Sequence, residues 1–349
     1  MLYPIFFEPD FKERVWGGTL LKDKLNKSIP YKHTGESWEV ACHDNGNSVV
    51  RNGELKGKTL KDVLENYSEE LIGYKISSND KFPLLIKFID AKDKLSVQVH
   101  PEDKYAMRYE NGELGKSEAW YILDAQPGAK LIAGLKDNVT KEDFTKAIKE
   151  GNFEEVLNEV EVEAGDVINI PAGFVHAIED GILLAEIQQN SDTTYRVYDW
   201  NRVGLDGNMR ELHVEKSLDV IDFQGKHSKD VVKGLGIKDG ENEIIYYVAN
   251  KYFSLEKISL KGKLIEKTNN NFYIYMCISG RGKVVCNNIE YDFRLGDSFM
   301  IPASLDDYEL EGEASLVKTY IPDIEKDVIS RLENAGYSRD EVKSRVRID

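Results

Sequence analysis

His176 closes the run Gly165-Asp166-Val167-Ile168-Asn169-Ile170-Pro171-Ala172-Gly173-Phe174-Val175-His176-Ala177, where an apolar stretch lies between a Gly-Asp turn and a Pro-x-Gly turn. Turns at both ends fix the strand, so rigid scaffold delivers the imidazole. Such a group can ligate a metal or move a proton, or it can be a satisfied core residue. The choice depends on what neighbouring strands bring. In 95–100, Leu95, Val97 and Val99 point one way, and Ser96, Gln98 and His100 point the other. Those three polar types are not the Lys, Glu and Thr usual on a wet strand face, so a site and a solvated face both stand. Lys116 and Glu118 share a face of the next strand, as site groups or as an exposed ion pair. Glu186 and Gln188 share a face of 182–189, and Thr194, Arg196 and Tyr198 share one of 193–200. His33 and His43 sit in polar, turn-like segments that favour solvated roles.

The elements that must position these residues are mostly short strands. Residues 82–90, 95–100, 115–123, 182–189 and 193–200 all read as strands separated by turn signals, which indicates a β-sandwich or barrel rather than a parallel α/β sheet. Residues 59–71 form an expected helix with Leu60, Val63, Leu64, Tyr67 and Leu71 on one face and Gly73 past its end. Pro101 stops the second strand and starts a short helix over 102–109. Residues 140–160 read as a helical insertion with a Thr140–Asp143 capping pair and a break at Gly151-Asn152.

The last third repeats the opening theme. Leu295-Gly296-Asp297-Ser298-Phe299-Met300-Ile301-Pro302-Ala303-Ser304 matches 164–173 in spacing, an offset of 131 residues (296 minus 165). Where His176 stands, the second copy reads Asp306-Asp307-Tyr308, and no histidine follows His227. The expected organisation is therefore a metal-binding, catalytic unit over 1–225, with helical segments near 57–73 and 139–160, and a degenerate, metal-free unit over 226–349.

Composition bounds the partners. The 349 residues carry a net charge of −16, which disfavours nucleic acid and anionic membrane surfaces as partners. An anionic substrate would need a locally basic pocket working against that field. Three cysteines (Cys42, Cys277, Cys286) form no CxxC pair, which suits a reducing compartment and excludes a thiolate zinc finger. The N-terminal stretch reads as neither a signal peptide nor an anchor, and the expected location is cytoplasmic.

Gly165-x5-Pro171-x-Gly173-x2-His176-x3-Asp180 resembles the second cupin motif, with Asp180 in place of the usual Asn. Leu95-Ser96-Val97-Gln98-Val99-His100-Pro101, Lys116-Ser117-Glu118-Ala119-Trp120-Tyr121, Gly173-Phe174-Val175-His176-Ala177 and Thr194-Tyr195-Arg196-Val197-Tyr198-Asp199-Trp200 follow in the order seen in type I mannose-6-phosphate isomerases. Val15-Trp16-Gly17-Gly18 and Gly35-Glu36-Ser37-Trp38 resemble the short bacterial branch. The resemblance implies a mainly β protein of two cupin-like barrels (jelly rolls) with a small helical insertion. It implies one Zn2+ per chain on His100, Glu118 and His176, with Gln98 as a further ligand. Two imidazoles and a carboxylate are ordinary catalytic zinc ligands.

The implied reaction interconverts mannose 6-phosphate and fructose 6-phosphate through an enediolate. Arg196 matches the family's catalytic arginine, and Lys116 and Glu186 are the candidates for proton transfer. Ser96, Gln98 and Arg202 are the expected substrate contacts, with Lys116 also available to the phosphate. Longer family members carry His where Gly115 stands, so a base at that position does not operate here. The expected partner is a small sugar phosphate, and the protein is expected as a monomer or small homo-oligomer. The alternatives are a cupin acting on another sugar phosphate, a non-catalytic sugar-phosphate sensor, and an Fe(II) oxygenase using Glu102 as the carboxylate of a facial triad.

Overall fold

The computed structural model describes residues 2–73 and 81–348 and is mainly β. Its strands of four or more residues, with the three-residue β5 and β10, are numbered in chain order. They are β1 (Ile5–Glu8), β2 (Asp10–Gly18), β3 (Thr34–Val40), β4 (Leu84–Ala91), β5 (Val97–Val99), β6 (Glu118–Ala125), β7 (Lys130–Leu135), β8 (Leu157–Glu161), β9 (Val167–Ile170), β10 (His176–Ile178), β11 (Ile182–Gln189) and β12 (Tyr195–Tyr198). The last third adds β13 (Leu235–Asp239), β14 (Asn242–Ala249), β15 (Ser254–Lys267), β16 (Tyr273–Cys286), β17 (Ile289–Arg294), β18 (Ser298–Ile301) and β19 (Asp307–Thr319).

Two sheets carry the first half: one ordered β9-β6-β11-β4-β3-β2, the other β8-β7-β10-β5-β12. Alternation along each strand sorts its side chains between them. On β11, Leu183, Ala185 and Ile187 join one apolar cluster, while Ile182 and Leu184 join another between the sheets. Glu186 and Gln188 continue that second face. On β5, Val97 and Val99 pack outward with Phe144 and Ala147 of the Lys141–Glu150 helix. Leu95 does not follow them as the alternation of 95–100 predicts. It precedes the strand proper, and its side chain joins the cluster between the sheets.

The C-terminal sheet runs β13-β14-β15-β19-β16-β18 and then takes in β1, so a strand from the chain's start extends the sheet of its last third. The cluster shared by the halves includes Ile86, Phe88 and Ala119 beside Phe253, Phe272 and Ile274. Apolar surface buried there stabilises by roughly 25 cal/mol per Å² removed from water, which fixes one half against the other.

The expected helix at 59–71 is present as Leu60–Ile72, with Thr59 and Asp62 forming a reciprocal capping box. The 140–160 reading needs correction. Lys141–Glu150 is helical and ends at Gly151 in the left-handed region (φ 75), but 157–161 is β8, an edge strand on β7. Five residues with one face against a neighbour give too short an alternation to distinguish from a continuing helix. Among the described residues, no helix is long and apolar enough to cross a membrane.

Candidate metal centre and cavity

Three side chains from three strands or strand ends converge between the N-terminal sheets. His100 follows β5, Glu118 opens β6, and His176 opens β10. His100 Nε2 lies 3.3 Å from Glu118 Oε1, and His176 Nε2 lies 3.9 Å from Glu118 Oε2. The ligand atoms of all three lie within 4.8 Å of one another, and all three residues are buried.

Each imidazole is oriented from behind. His100 Nδ1 lies 3.0 Å from the Thr193 carbonyl, and His176 Nδ1 lies 2.8 Å from that of Phe174. A carbonyl only accepts, so both Nδ1 atoms carry the proton and both Nε2 atoms present lone pairs inward. The Pro171-Ala172-Gly173-Phe174 turn therefore both ends β9 and supplies the carbonyl that sets the His176 tautomer. Gly173 sits at φ 84, with the Val220 carbonyl 2.9 Å from where a Cβ would stand, so another residue would disturb the turn.

Burial keeps the imidazoles neutral. The His100 pKa is lowered to about 3, first by desolvation and then by the Lys116 ammonium, and that of His176 is lowered by desolvation. For Glu118, burial favours the neutral acid, but the adjacent Lys116 ammonium outweighs it and holds the carboxyl well below the usual range. Two neutral imidazoles and a carboxylate form the protonation state that a divalent metal needs. Both Nε2 atoms and both carboxylate oxygens are buried with no hydrogen-bond partner. Lys116 Nζ approaches Oε1 to 2.7 Å as an ion pair. Leaving the two Nε2 atoms and Glu118 Oε2 buried and unpaired costs about 1–3 kcal/mol each, and a cation among them would remove that cost. The donors fit a metal.

Register extends the site outward. Gln98 stands opposite His176 on one side and Arg196 on the other. Gln98 and Lys116 line a cavity of about 580 Å³ together with Trp16, Glu36, Lys87, Ser96, Glu186, Thr194, Arg196 and Arg210. A larger groove of about 1620 Å³ runs over the glycine-bearing middles of β15, β16 and β19, and neither the triad nor its neighbours Gln98 and Lys116 line it.

Glu186 is set opposite Lys87 and Trp120 across the sheet. Lys87 donates to it at 2.8 Å and Trp120 Nε1 at 3.0 Å. Burial and the nearby Glu118 charge raise the Glu186 pKa, against the pull of Lys87. Arg196 donates to the Glu211 carbonyl at 2.7 Å, and its Nε is buried without a partner.

The structure thus brings Ser96, Gln98, Lys116, Glu186 and Arg196 to one cavity beside the triad. Arg202 is not among the lining residues; its guanidinium lies 3.0 Å from Asp199 and 3.5 Å from Asp93. Glu102 is exposed at the start of the Asp103–Tyr109 helix, which removes the facial triad that would use it. His43 pairs loosely with Glu113 at 3.8 Å and lies outside the triad. Sequence reasoning missed Lys87, Glu36 and Arg210. Lys87 had a signal: a lone lysine inside the apolar run Leu84-Leu85-Ile86-Lys87-Phe88-Ile89.

Comparison with known proteins places this geometry. Residues 5–129 match "Phosphomannose isomerase type I, catalytic domain", and residues 243–321 match "Mannose-6-phosphate isomerase, cupin domain". The mannose-6-phosphate isomerase ManA of Bacillus subtilis is 43% identical over 91% of this chain and 99% of its own. A mannose-6-phosphate isomerase of Streptococcus mutans is 35% identical over 92% and 99%. The crystal structure of a B. subtilis mannose 6-phosphate isomerase superposes with a TM-score of 0.86 at 36% identity, covering 92% of this chain and all of that one.

Proposed function

This chain belongs to the type I phosphomannose isomerase family, and from that premise we propose that it interconverts mannose 6-phosphate and fructose 6-phosphate. The observation that carries the reading is the set of inward-facing, buried ligand atoms on His100, Glu118 and His176, beside a cavity lined by cations and a buried acid. The metal assigned is one Zn2+ per chain, on the chemistry of two imidazoles and a carboxylate, with Gln98 as a further ligand. Bound there, zinc supplies Lewis acidity toward a substrate carbonyl.

The chain's own residues do the rest. An aldose–ketose exchange moves a proton between C1 and C2 and places negative charge on the neighbouring oxygens. Glu186, a buried carboxylate with a raised pKa, is the group we assign to that transfer. Lys87 and Trp120 hold it by one hydrogen bond to each oxygen, which fixes its plane. Lys116 offsets negative charge beside Glu118, and Arg196 carries a buried donor toward the cavity for the developing oxyanion. Ser96 and Gln98 offer hydrogen bonds to sugar hydroxyls. We assign residues 226–349 as a metal-free companion unit and, from the three unpaired cysteines, place the protein in the cytoplasm.

A coupled assay on mannose 6-phosphate, with metal analysis of the same sample, tests the reading. Turnover at typical enzyme rates with about one zinc per chain is expected. A metal-replete protein that binds the sugar phosphate without isomerising it would leave a sensor instead.

A further inference from the structure

A tyrosine of the C-terminal half reaches the surroundings of the metal centre. Tyr252 lies between β14 and β15, in the turn Asn250-Lys251-Tyr252-Phe253. The buried Asn250 Oδ1 accepts from the Tyr252 and Phe253 amides at 2.8 and 2.9 Å, and the Asn250 amide donates to the Phe253 carbonyl at 3.0 Å. Phe253 is anchored in the cluster shared by the halves. The turn is therefore preset, and it presents a half-buried phenol to the other half. Burial and the Asp103 charge raise the pKa of that phenol, so it keeps its proton and donates to Asp103 Oδ2 at 2.5 Å.

Asp103 opens the helix that follows His100 and Pro101, and it gathers the segments that carry the site. Its Oδ1 accepts from the Gly115 amide at 2.9 Å and from Gln189 Nε2 at 3.0 Å. Gln189, at the end of β11, in turn holds Ser117 from both sides. Its Oε1 accepts from the Ser117 amide at 3.0 Å, and its own amide donates to the Ser117 carbonyl at 3.2 Å. Gly115 permits the close approach, because a Cβ there would lie 2.5 Å from the Asp103 nitrogen. The Lys116 amide then donates to the Pro101 carbonyl at 3.0 Å, next to His100. Neither Tyr252 nor Asp103 lines the cavity. What this network fixes is the backbone of 115–118, and so where the Lys116 ammonium and the Glu118 carboxylate stand against His100. Bonds to a carboxylate are about twice as strong as neutral ones, which suits Asp103 to hold several segments at once.

We propose that Tyr252 is a positioning residue contributed by the metal-free half: through Asp103 it sets the 115–118 segment, and with it zinc affinity and turnover. The effect on turnover rests on the isomerase reading, whereas the effect on zinc needs only the metal centre.

The test is Tyr252→Phe, which keeps the ring and removes the donor, made in the parent and in an Asp103→Ala background. Arg51→Gln is the control. Arg51 also joins the halves, 2.9 Å from Asp297, without touching Asp103. Zinc affinity is read by competition with a chromogenic chelator, and kcat and KM are read with mannose 6-phosphate. Removing an outer partner of a metal ligand costs about ten- to a hundredfold, and Tyr252 stands further out than such a partner, so the expected loss in zinc affinity and kcat is about tenfold. KM and melting temperature should stay near the parent's. Arg51→Gln should change neither zinc affinity nor kcat, and without Asp103 the Tyr252→Phe change should add nothing. Parental zinc affinity in Tyr252→Phe would overturn the proposal. So would an equal loss in Arg51→Gln, or a loss that persists in Asp103→Ala, since either marks a merely structural contact. If the parent does not isomerise mannose 6-phosphate, the zinc arm decides alone: weaker zinc binding in Tyr252→Phe supports the positioning role while the isomerase reading fails, and equal binding removes Tyr252.

Discussion

The interiors of the two halves both bury a carboxylate beside a lysine, Glu118 with Lys116 and Glu266 with Lys318, but only the first turns imidazoles toward it. Both contain a Gly-Asp turn leading into a short buried strand, β9 after Gly165 (φ 101) and β18 after Gly296 (φ 86). Ile170 at the end of β9 stands opposite Glu118, and Ile301 at the end of β18 stands opposite Tyr273. In the first half the residues around this point leave both imidazole Nε2 atoms and Glu118 Oε2 buried and unpaired. In the second, charge is balanced internally. Lys318 lies 2.7 Å from Glu266 and 4.2 Å from the Tyr273 ring centre, and Tyr320 donates to Glu256 at 2.7 Å. Tyr275 and Tyr308 share a hydrogen bond of 2.5 Å. An ammonium carried by the chain sits inside each half, Lys116 on Glu118 in the first and Lys318 on Glu266 in the second, but only the first also turns two imidazole nitrogens inward as donors for an added cation. Buried carboxylates demand a cation in either case; the inward-facing imidazoles separate the reactive interior from the structural one.

His176→Ala removes a metal ligand and should cost about a thousandfold or more in turnover, together with bound zinc. Arg196→Ala should lower turnover by about a hundred- to a thousandfold with metal content unchanged, and unaltered turnover would take Arg196 out of the mechanism. In the second interior, Lys318→Met leaves Glu266 buried without its cation and should cost about 3–5 kcal/mol of stability, read by chemical denaturation. Its zinc content should equal the parent's. Loss of zinc in that variant would show that the two interiors are not independent.

The smallest effect concerns acid. Burial alone would raise the Glu36 pKa, but Arg14 and Lys87 lower it to about 2 from 4.5. A depressed folded pKa adds stability that is present above the unfolded value and lost as pH falls from about 4.5 toward 2. That contribution is at most about 3 kcal/mol. Glu36→Gln should therefore be less stable than the parent at pH 7 and show a flatter stability profile between pH 4.5 and 2.

Much of this was legible in the chain because periodicity two carries so much information in strands. The face bearing Ser96, Gln98 and His100, and the shared face of Glu186 and Gln188, follow from alternation alone. What one strand cannot show is which partner lies opposite. Lys87 became interpretable only when β4 paired with β11 and set it against Glu186. Arg202 and Arg210 both flank the same loop, and only the geometry around Asp199 shows that Arg210 lines the cavity. The strand at 157–161 was hidden because its pairing with β7, and not its own pattern, makes it a strand.

The central claim is that the His100–Glu118–His176 centre holds the zinc on which isomerisation depends. Stripping the protein with a chelator and titrating zinc back, while following mannose 6-phosphate turnover and metal content together, tests it most directly. The account predicts that activity disappears with the metal and returns in proportion to zinc, saturating at one ion per chain. Full activity in a stripped sample, with no metal detected by mass spectrometry, would contradict it.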